Sequence, residues 1–227
     1  VAVVRPLLLD LFSGAGGAAR GYHDAGWDVI GVDIAPQKHY PYEFIQADAL
    51  EVLRDVATLG ERWRHMPDVY AIHASPPCQA YSITGNLARA QGKQASTLDL
   101  VEPTRKLLRA TGLPYVIENV PGAPLHDPVT LCGSSFGLAV RRHRLFESNV
   151  LIPALDCDHA GQGRPVGVYG SKGDDIPSGG RTARTLEEGQ AAMGIDWMPW
   201  SKLVLSIPPA YTRYIGGFLL DAVRAAA

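Results

Sequence analysis

Residues 71 to 82 read AIHASPPCQAYS, an apolar run that ends in two prolines, a cysteine and a glutamine. Proline fixes its own φ and restricts the residue before it, so Pro76 and Pro77 stiffen the path into Cys78. Most free cysteines are small core residues, but a thiol at a stiff polar corner is presented, and a presented thiol is a candidate for covalent chemistry. Glu118, in VIENV, directly follows another apolar run. Partial burial there raises the carboxyl pKa and helps it remain protonated as a hydrogen-bond donor. In VRRHRLFES, residues 140 to 148, an extended chain puts Arg142 and Arg144 on one side, so both can point into one cleft. A solvated basic strand edge has the same pattern.

A second set of residues suits a nucleotide-like ligand. DLFSGAGG places Ser13, Gly14, Ala15, Gly16 and Gly17 in a tight turn before a helix, where missing side chains let a ligand approach the backbone. The same glycines also suit a dinucleotide site or close strand-to-helix packing. Asp33, 17 to 20 residues beyond the glycines, fits the two hydroxyls of a ribose. Asp48, in IQADAL, can accept a hydrogen bond from an exocyclic amine such as adenine's. Either aspartate alone also reads as a cap or turn residue. On successive strand ends the three together favour an adenosyl site.

The elements that must hold these residues alternate. PLLLDLF, DVIGVDI, YEFIQAD, DVYAIHAS and PYVIENV read as short strands, and GGAARGYHDAG, LEVLRDVATLGERW and TLDLVEPTRKLLRATG as helices. Near-continuous apolar strands between helices predict an α/β, doubly wound, mostly parallel sheet covered on both faces, with ligands at the carboxyl ends of the strands. The chain has 227 residues, 46% hydrophobic and 19% charged, enough for one full core. Its net charge of -2 gives no global signal for nucleic acid, so such a partner needs a local basic patch. Three cysteines without disulfide-like spacing, and no basic-then-apolar leader, predict a reducing cytoplasm; no apolar run of about 18 residues is present to predict a membrane span. Cys132 and Cys157 read as core-type cysteines. The CDH of 157 to 159 could be half a metal site, but no matching second pair is evident, so no metal is expected.

The ordered set DLFSGAGG, GVDI, ADAL, PPCQAYS, ENV and RRHRLF, over roughly residues 7 to 147, resembles the DNA cytosine-5 methyltransferases that use S-adenosyl-L-methionine; RTLEEGQAAMG, at 184 to 194, adds a weaker match. The resemblance implies a Rossmann-like methyltransferase fold acting on double-stranded DNA with the target cytosine flipped out, as a monomer. It implies that Phe12 and the turn Ser13 to Gly17 border the cofactor, with Asp33 on the ribose, Ile34 against the adenine, Asp48 on its amine, and Ala49 and Pro76 nearby. It implies further that Cys78 is the nucleophile, that Glu118 holds the N3 edge of cytosine, and that Arg144 meets the base carbonyl with Arg142 in support. Gln79, Ser82, Arg89 and Lys93, on the loop after the cysteine, are then candidate DNA contacts.

The departures from that family shape the remaining expectations. Val140 stands where the family usually has glutamine, and Val204 and Leu205 stand where it commonly has a Gly-Asn pair that helps close the cofactor pocket. The chain divides into a catalytic part, 1 to 147, a loop-rich target recognition segment, 148 to 183, and a return to the catalytic domain, 184 to 227. So short a segment cannot bury its own core and offers few side chains to read bases. A short or relaxed target is therefore expected, with Arg164, Lys172 and Arg181 as candidate contacts, as in compact methyltransferases of phages and prophages that shield a genome.

Overall fold

The computed structural model describes residues 5–58, 68–78, 99–170 and 180–226. Nine strands, seven α-helices and one short 3-10 helix (Gly133–Phe136) are present among them. Strands β1 (Leu7–Leu11), β2 (Asp28–Asp33), β3 (Glu43–Gln46), β4 (Val69–Ala74), β5 (Tyr115–Asn119), β6 (Val129–Leu131) and β7 (Arg144–Ser148) form one sheet in the order β3-β2-β1-β4-β5-β7-β6. The first five run parallel, with Leu9 opposite both Ile30 and Ile72. Strand β7 enters between β5 and β6, antiparallel to each, and sets Phe146 opposite Glu118. This is a Rossmann-like, mostly parallel α/β sheet. Its strand order reverses at β1 and β4, so the carboxyl ends of these two strands splay around a crevice.

The apolar runs are continuous because both sheet faces are covered. All five residues of β1 are buried, and alternate residues go to opposite sides. Leu8, Val29, Ala71 and Val116 pack with Tyr22 of α1 (Gly17–Ala25) and with Tyr211, Ile215 and Leu219 of α7 (Pro209–Ala226). Leu9, Leu11, Ile30, Val32, Ile72 and Ile117 face Val52 and Leu53 of α2 (Ala49–Thr58) and Leu108 of α3 (Val101–Thr111). Helices α1 and α7 cross closely at Gly21, where an added Cβ would lie 2.0 Å from the Pro209 carbonyl oxygen. Thr212 Oγ1 donates to the Ala18 carbonyl at 2.8 Å and fastens that crossing.

Between β7 and α5 (Leu186–Met193) the described chain holds only α4 (His159–Gln162) and the two-residue parallel strands β8 (Val166–Gly167) and β9 (Arg181–Thr182). It shares a third apolar cluster with the rest of the molecule: Val168 packs with Val140, Met193, Ile195, Met198 and Leu203, the last from α6 (Trp200–Leu203), and with Ala15 of the turn after β1.

One buried ion pair ties the helical layer to β7. Arg105, on α3, donates from Nε to Glu147 Oε1 at 2.8 Å, from Nη2 to Glu147 Oε2 at 2.8 Å and to the Pro124 carbonyl at 2.7 Å, and also pairs with Glu102. Burial alone would raise the Glu147 pKa, but hydrogen bonds from Arg105 and the His126 N–H outweigh it and hold the carboxyl below its ordinary value. A depressed folded pKa contributes stability above the unfolded pKa, and that stability is lost as pH falls through the folded one. Arg105→Ala is expected to cost about 3–5 kcal/mol in urea unfolding at neutral pH, since it strands a buried carboxylate. The gap from wild type is expected to narrow in acid, where Glu147 becomes neutral.

Candidate active site

The crevice is a cleft of about 420 Å³ at the carboxyl ends of β1, β2, β4 and β5. At the β1 end the backbone turns sharply: Phe12 has φ 56 and Gly14 φ 51, both left-handed, a conformation that a non-glycine residue keeps only under constraint. The turn is held by β2. Ser13 N–H donates to the Val32 carbonyl at 3.1 Å, and Gly14 N–H donates to Asp33 Oδ2 at 3.0 Å, while Asp33 Oδ1 accepts from Ala35 N–H at 2.9 Å. Asp33 thus braces the loop that it faces.

The glycines divide their work. A Cβ at Gly14 would meet nothing within 4 Å, whereas one at Gly16 would lie 2.7 Å from Pro41 Cδ and one at Gly17 2.6 Å from the Ile207 carbonyl oxygen. Gly14 therefore leaves room for a ligand. Gly17 lines the cleft but is needed for the approach of the C-terminal segment, and Gly16, expected in the site, packs against the loop before β3 instead.

Phe12, Ser13, Ala15, Asp33, Ile34, Asp48, Ala49 and Pro76 all line the cleft as expected. Ile34 is 71% exposed at its mouth, an apolar side chain left for a flat ligand to cover. Asp48 also caps α2, its Oδ1 accepting from Leu50 N–H at 2.8 Å and Glu51 N–H at 3.0 Å. Two buried lining atoms, Asp10 Oδ1 and Ser13 Oγ, find no partner among the described residues, so the protein leaves polar as well as apolar groups to be met by a ligand. Asp10 escaped the sequence reading, although an acid inside LLLDLF was the visible signal. Burial drives its pKa well above the ordinary value, against a hydrogen bond from Tyr40.

Cys78 stands half-buried beyond the end of β4 on the lining of the same cleft, within electrostatic reach of Glu118 and Arg144. Its corner is pinned from β5: Asn119 Nδ2 donates to the Pro76 carbonyl at 3.0 Å. Arg144 Nε lies 3.1 Å from Glu118 Oε1. Burial raises the Glu118 pKa, opposed by Arg144, a hydrogen bond from Ser75 and Arg142, in agreement with a carboxyl poised to hold a proton. Burial likewise raises Cys78, with the Glu118 charge adding to the rise and Arg144 opposing it. The resting group is therefore a thiol. Behind Glu118 runs a buried chain that sequence reading missed: His73 Nε2 is 2.9 Å from Ser75 Oγ, and His73 Nδ1 is 3.0 Å from the Tyr22 hydroxyl. Burial pushes the His73 pKa down to about 3, so this imidazole is neutral and fixes the orientation of Ser75 without adding charge.

Arg142 departs from the expected pairing with Arg144. Residues 141 to 143 precede β7 and are not strand, and the Arg142 side chain turns into the protein, 3% exposed. It donates to the carbonyls of Val168 at 3.1 Å and Val204 at 2.5 Å and lies over the Tyr169 ring. Burial, reinforced by the nearby Arg144 charge, lowers its pKa to about 10. It is a positioning residue, not a lining one. On the C-terminal side, Lys202, Leu205, Ser206 and Ile207 line the cleft where the Gly-Asn pair is replaced, and Lys202 Nζ reaches Gln37 Oε1 at 2.9 Å across its mouth.

Of the expected DNA contacts, Gln79, Ser82, Arg89, Lys93 and Lys172 lie outside the described residues. Arg164 is exposed between α4 and β8. Arg181 is engaged with Glu188 at the start of α5, its Nη1 2.9 Å from Oε2. The expectation that Cys157 and His159 lack a matching pair is corrected: Cys132 and His143 lie beside them, away from the cleft.

A family profile described as C-5 cytosine-specific DNA methylase matches residues 7–146. The type II methyltransferase M.XorII of Xanthomonas oryzae pv. oryzae is 27% identical over 161 residues, 66% of this chain and 32% of its own length. M1.HphI of Haemophilus parahaemolyticus is 34% identical over 86 residues, 36% of this chain and 23% of its own. The chain thus spans about a third or less of these curated relatives. Among solved structures, the S. pombe Dnmt2 methyltransferase superposes with a TM-score of 0.57 at 13% identity, covering 96% of this chain and 99% of that one, a likeness of fold. Among the described residues no helix is long and apolar enough to cross a membrane. With the profile running from the start of β1 into β7, over more than half of the chain, the chain belongs to the C-5 cytosine-specific DNA methylase family.

Proposed function

We propose that the protein is an S-adenosyl-L-methionine-dependent DNA (cytosine-5-)-methyltransferase that works through a covalent Cys78 adduct of a flipped cytosine. The observation that carries this reading is the shared cleft: Cys78, Glu118 and Arg144 open onto the same space as Asp33, Ile34 and Asp48. When bound, the cofactor supplies an electrophilic methyl group. Gly14 leaves the backbone open to it, Asp33 and Asp48 offer carboxylate oxygens to its hydroxyls and amine, and Ile34 offers an apolar face to its ring.

Carbon 5 of cytosine is a poor nucleophile until a thiolate adds to carbon 6 and makes the ring electron-rich. The negative charge that then develops is met by a proton or hydrogen bond from Glu118 at N3 and by Arg144 at the carbonyl oxygen. Protonated Glu118 serves twice, because its neutral form also removes the charge that adds to burial in raising the Cys78 pKa. Carbon 5 then takes the methyl group, for which the sulfonium would leave as a neutral thioether, loses its own proton to water, and expels the thiolate as N3 returns its proton to Glu118. Carbon 6 is out of reach in a stacked duplex, so the base must be flipped. The few elements among the described residues between β7 and α5, and an Arg181 already occupied by Glu188, support a short or relaxed target.

Nucleoside mass spectrometry of DNA and RNA incubated with the protein and S-adenosylmethionine tests the reading: 5-methyldeoxycytidine is expected from DNA, and methylated RNA in its place would sink it. Sequencing the methylated positions checks the target, one long palindrome being the outcome that refutes relaxed recognition. Asp33→Ala is expected to weaken S-adenosylhomocysteine binding about 10- to 100-fold by calorimetry, since hydrogen bonds to a charged group and the brace on Gly14 go together.

A further inference from the structure

We propose that Cys132, His143, Cys157 and His159 bind one zinc ion that clamps the segment after β7 to the chain carrying Arg142 and Arg144. The four residues come from three places: Cys132 directly after β6, His143 directly before β7, and Cys157 and His159 around the start of α4. One ligand atom of each lies within 4.8 Å of all the others. Cys132 Sγ is 3.3 Å from His159 Nε2, and Cys157 Sγ is 3.5 Å from His143 Nε2. Zinc bonds of about 2.3 Å to sulfur and about 2.0–2.1 Å to nitrogen place the corners of a tetrahedron roughly 3.4–3.8 Å apart. Two of the six donor pairs therefore already stand at about tetrahedral separations, and the others, within 4.8 Å, need to contract by about 1 Å at most.

The donor set indicates the ion. Two thiols and two imidazoles with no carboxylate disfavour magnesium and calcium and suit zinc, and four protein donors close the coordination sphere, as in a structural centre. The imidazole rings stand at 77°, with centroids 5.2 Å apart, so they converge without stacking. Cys132 is fully buried, and Ser134 Oγ donates to its sulfur at 3.2 Å, the kind of outer contact that steadies a ligating thiolate. Binding displaces both thiol protons, including the one that Cys132 gives the Arg141 carbonyl at 3.0 Å.

The surrounding contacts show what is being fastened. Arg141 donates to Gln162 Oε1 at 3.0 Å and to the Gly163 carbonyl at 3.0 Å, and Gln162 Nε2 donates to the carbonyls of Leu138 and Val140. These bonds seat α4 against residues 138 to 141, but α4 has four residues and none is buried. A segment without its own core needs another anchor, and a metal bridging it to the sheet supplies one. His143 sits between the two arginines, so the ion also fixes the chain from which Arg144 reaches Glu118.

Elemental analysis of the purified full chain tests this, together with cobalt exchange. One zinc per chain is expected, along with the visible spectrum of tetrahedral cobalt carrying thiolate ligands after substitution. Cys157 is exposed, so Cys157→Ser should keep the native circular dichroism while losing at least tenfold in zinc retention at equal chelator; His159→Gln should behave likewise. The wild-type cobalt spectrum decides the matter even if a variant fails to fold. Wild-type protein that neither carries zinc nor takes it up from equimolar Zn²⁺, or that contains a Cys132–Cys157 disulfide by mass spectrometry, would overturn the proposal.

Discussion

Cys78→Ser is expected to lose methyl transfer by about 10⁴-fold or more while binding S-adenosylhomocysteine within about twofold of wild type. The size follows from the chemistry, because without a thiolate at carbon 6 the ring has no route to a nucleophilic carbon 5, and a serine hydroxyl in this half-buried corner is far too basic to ionise. The split between turnover and cofactor affinity follows from the topology, since Cys78 follows β4 whereas Asp33 and Asp48 stand at the ends of β2 and β3, across β1 in the sheet. The same variant should form no denaturant-stable complex with DNA containing 5-fluorocytosine, which wild type traps because fluorine cannot leave carbon 5 as a proton does. A complex that survives in the variant would move the nucleophile elsewhere.

Glu118→Gln is the second large effect, and it should push two measurements in opposite directions. Turnover is expected to fall about 10²- to 10⁴-fold, because glutamine can donate a hydrogen bond to N3 but cannot deliver a proton. Thiol reactivity should rise. Burial is the main reason the Cys78 pKa is high, and the Glu118 carboxylate is the next contributor. Removing that charge lowers the thiol pKa, so at fixed pH the variant should be alkylated by iodoacetamide faster than wild type. A pH titration of alkylation should show the wild-type midpoint on the alkaline side of the variant's. Equal midpoints would mean that Glu118 does not control the nucleophile's ionisation.

Much of this candidate site was legible because each strand of a parallel sheet is written as a compact apolar run, with the candidate residue at or shortly beyond its carboxyl end. Asp33, Asp48, Cys78 and Glu118 all stand at such ends, and local pattern was enough to find them. What escaped depends on partners distant in sequence. Strand β7 pairs antiparallel between β5 and β6, so neither its place nor its opposition of Phe146 to Glu118 is visible in RRHRLFES itself. Arg142 looked like a twin of Arg144 by spacing, but the chain before β7 is not strand, and carbonyls 26 and 62 residues further on capture its guanidinium. Gly16 and Gly17 were legible as glycines, yet the atoms that require them belong to Pro41 and Ile207. Cys132 and His143 could not be matched to Cys157 and His159 because their spacing follows no local motif.

The guanidinium of Arg142 has a consequence for how such enzymes can be recombined. One of its two carbonyl acceptors, Val168, belongs to the segment that would choose the DNA sequence, and the other, Val204, immediately precedes the residues that close the cofactor cleft. Losing either acceptor leaves a buried cation short of hydrogen bonds, a penalty of about 1–3 kcal/mol or more. The proposed recognition segment is therefore not a free cassette. A graft between relatives must carry a carbonyl to the place of Val168, or else import Arg142 and the C-terminal turn with it as one inherited unit.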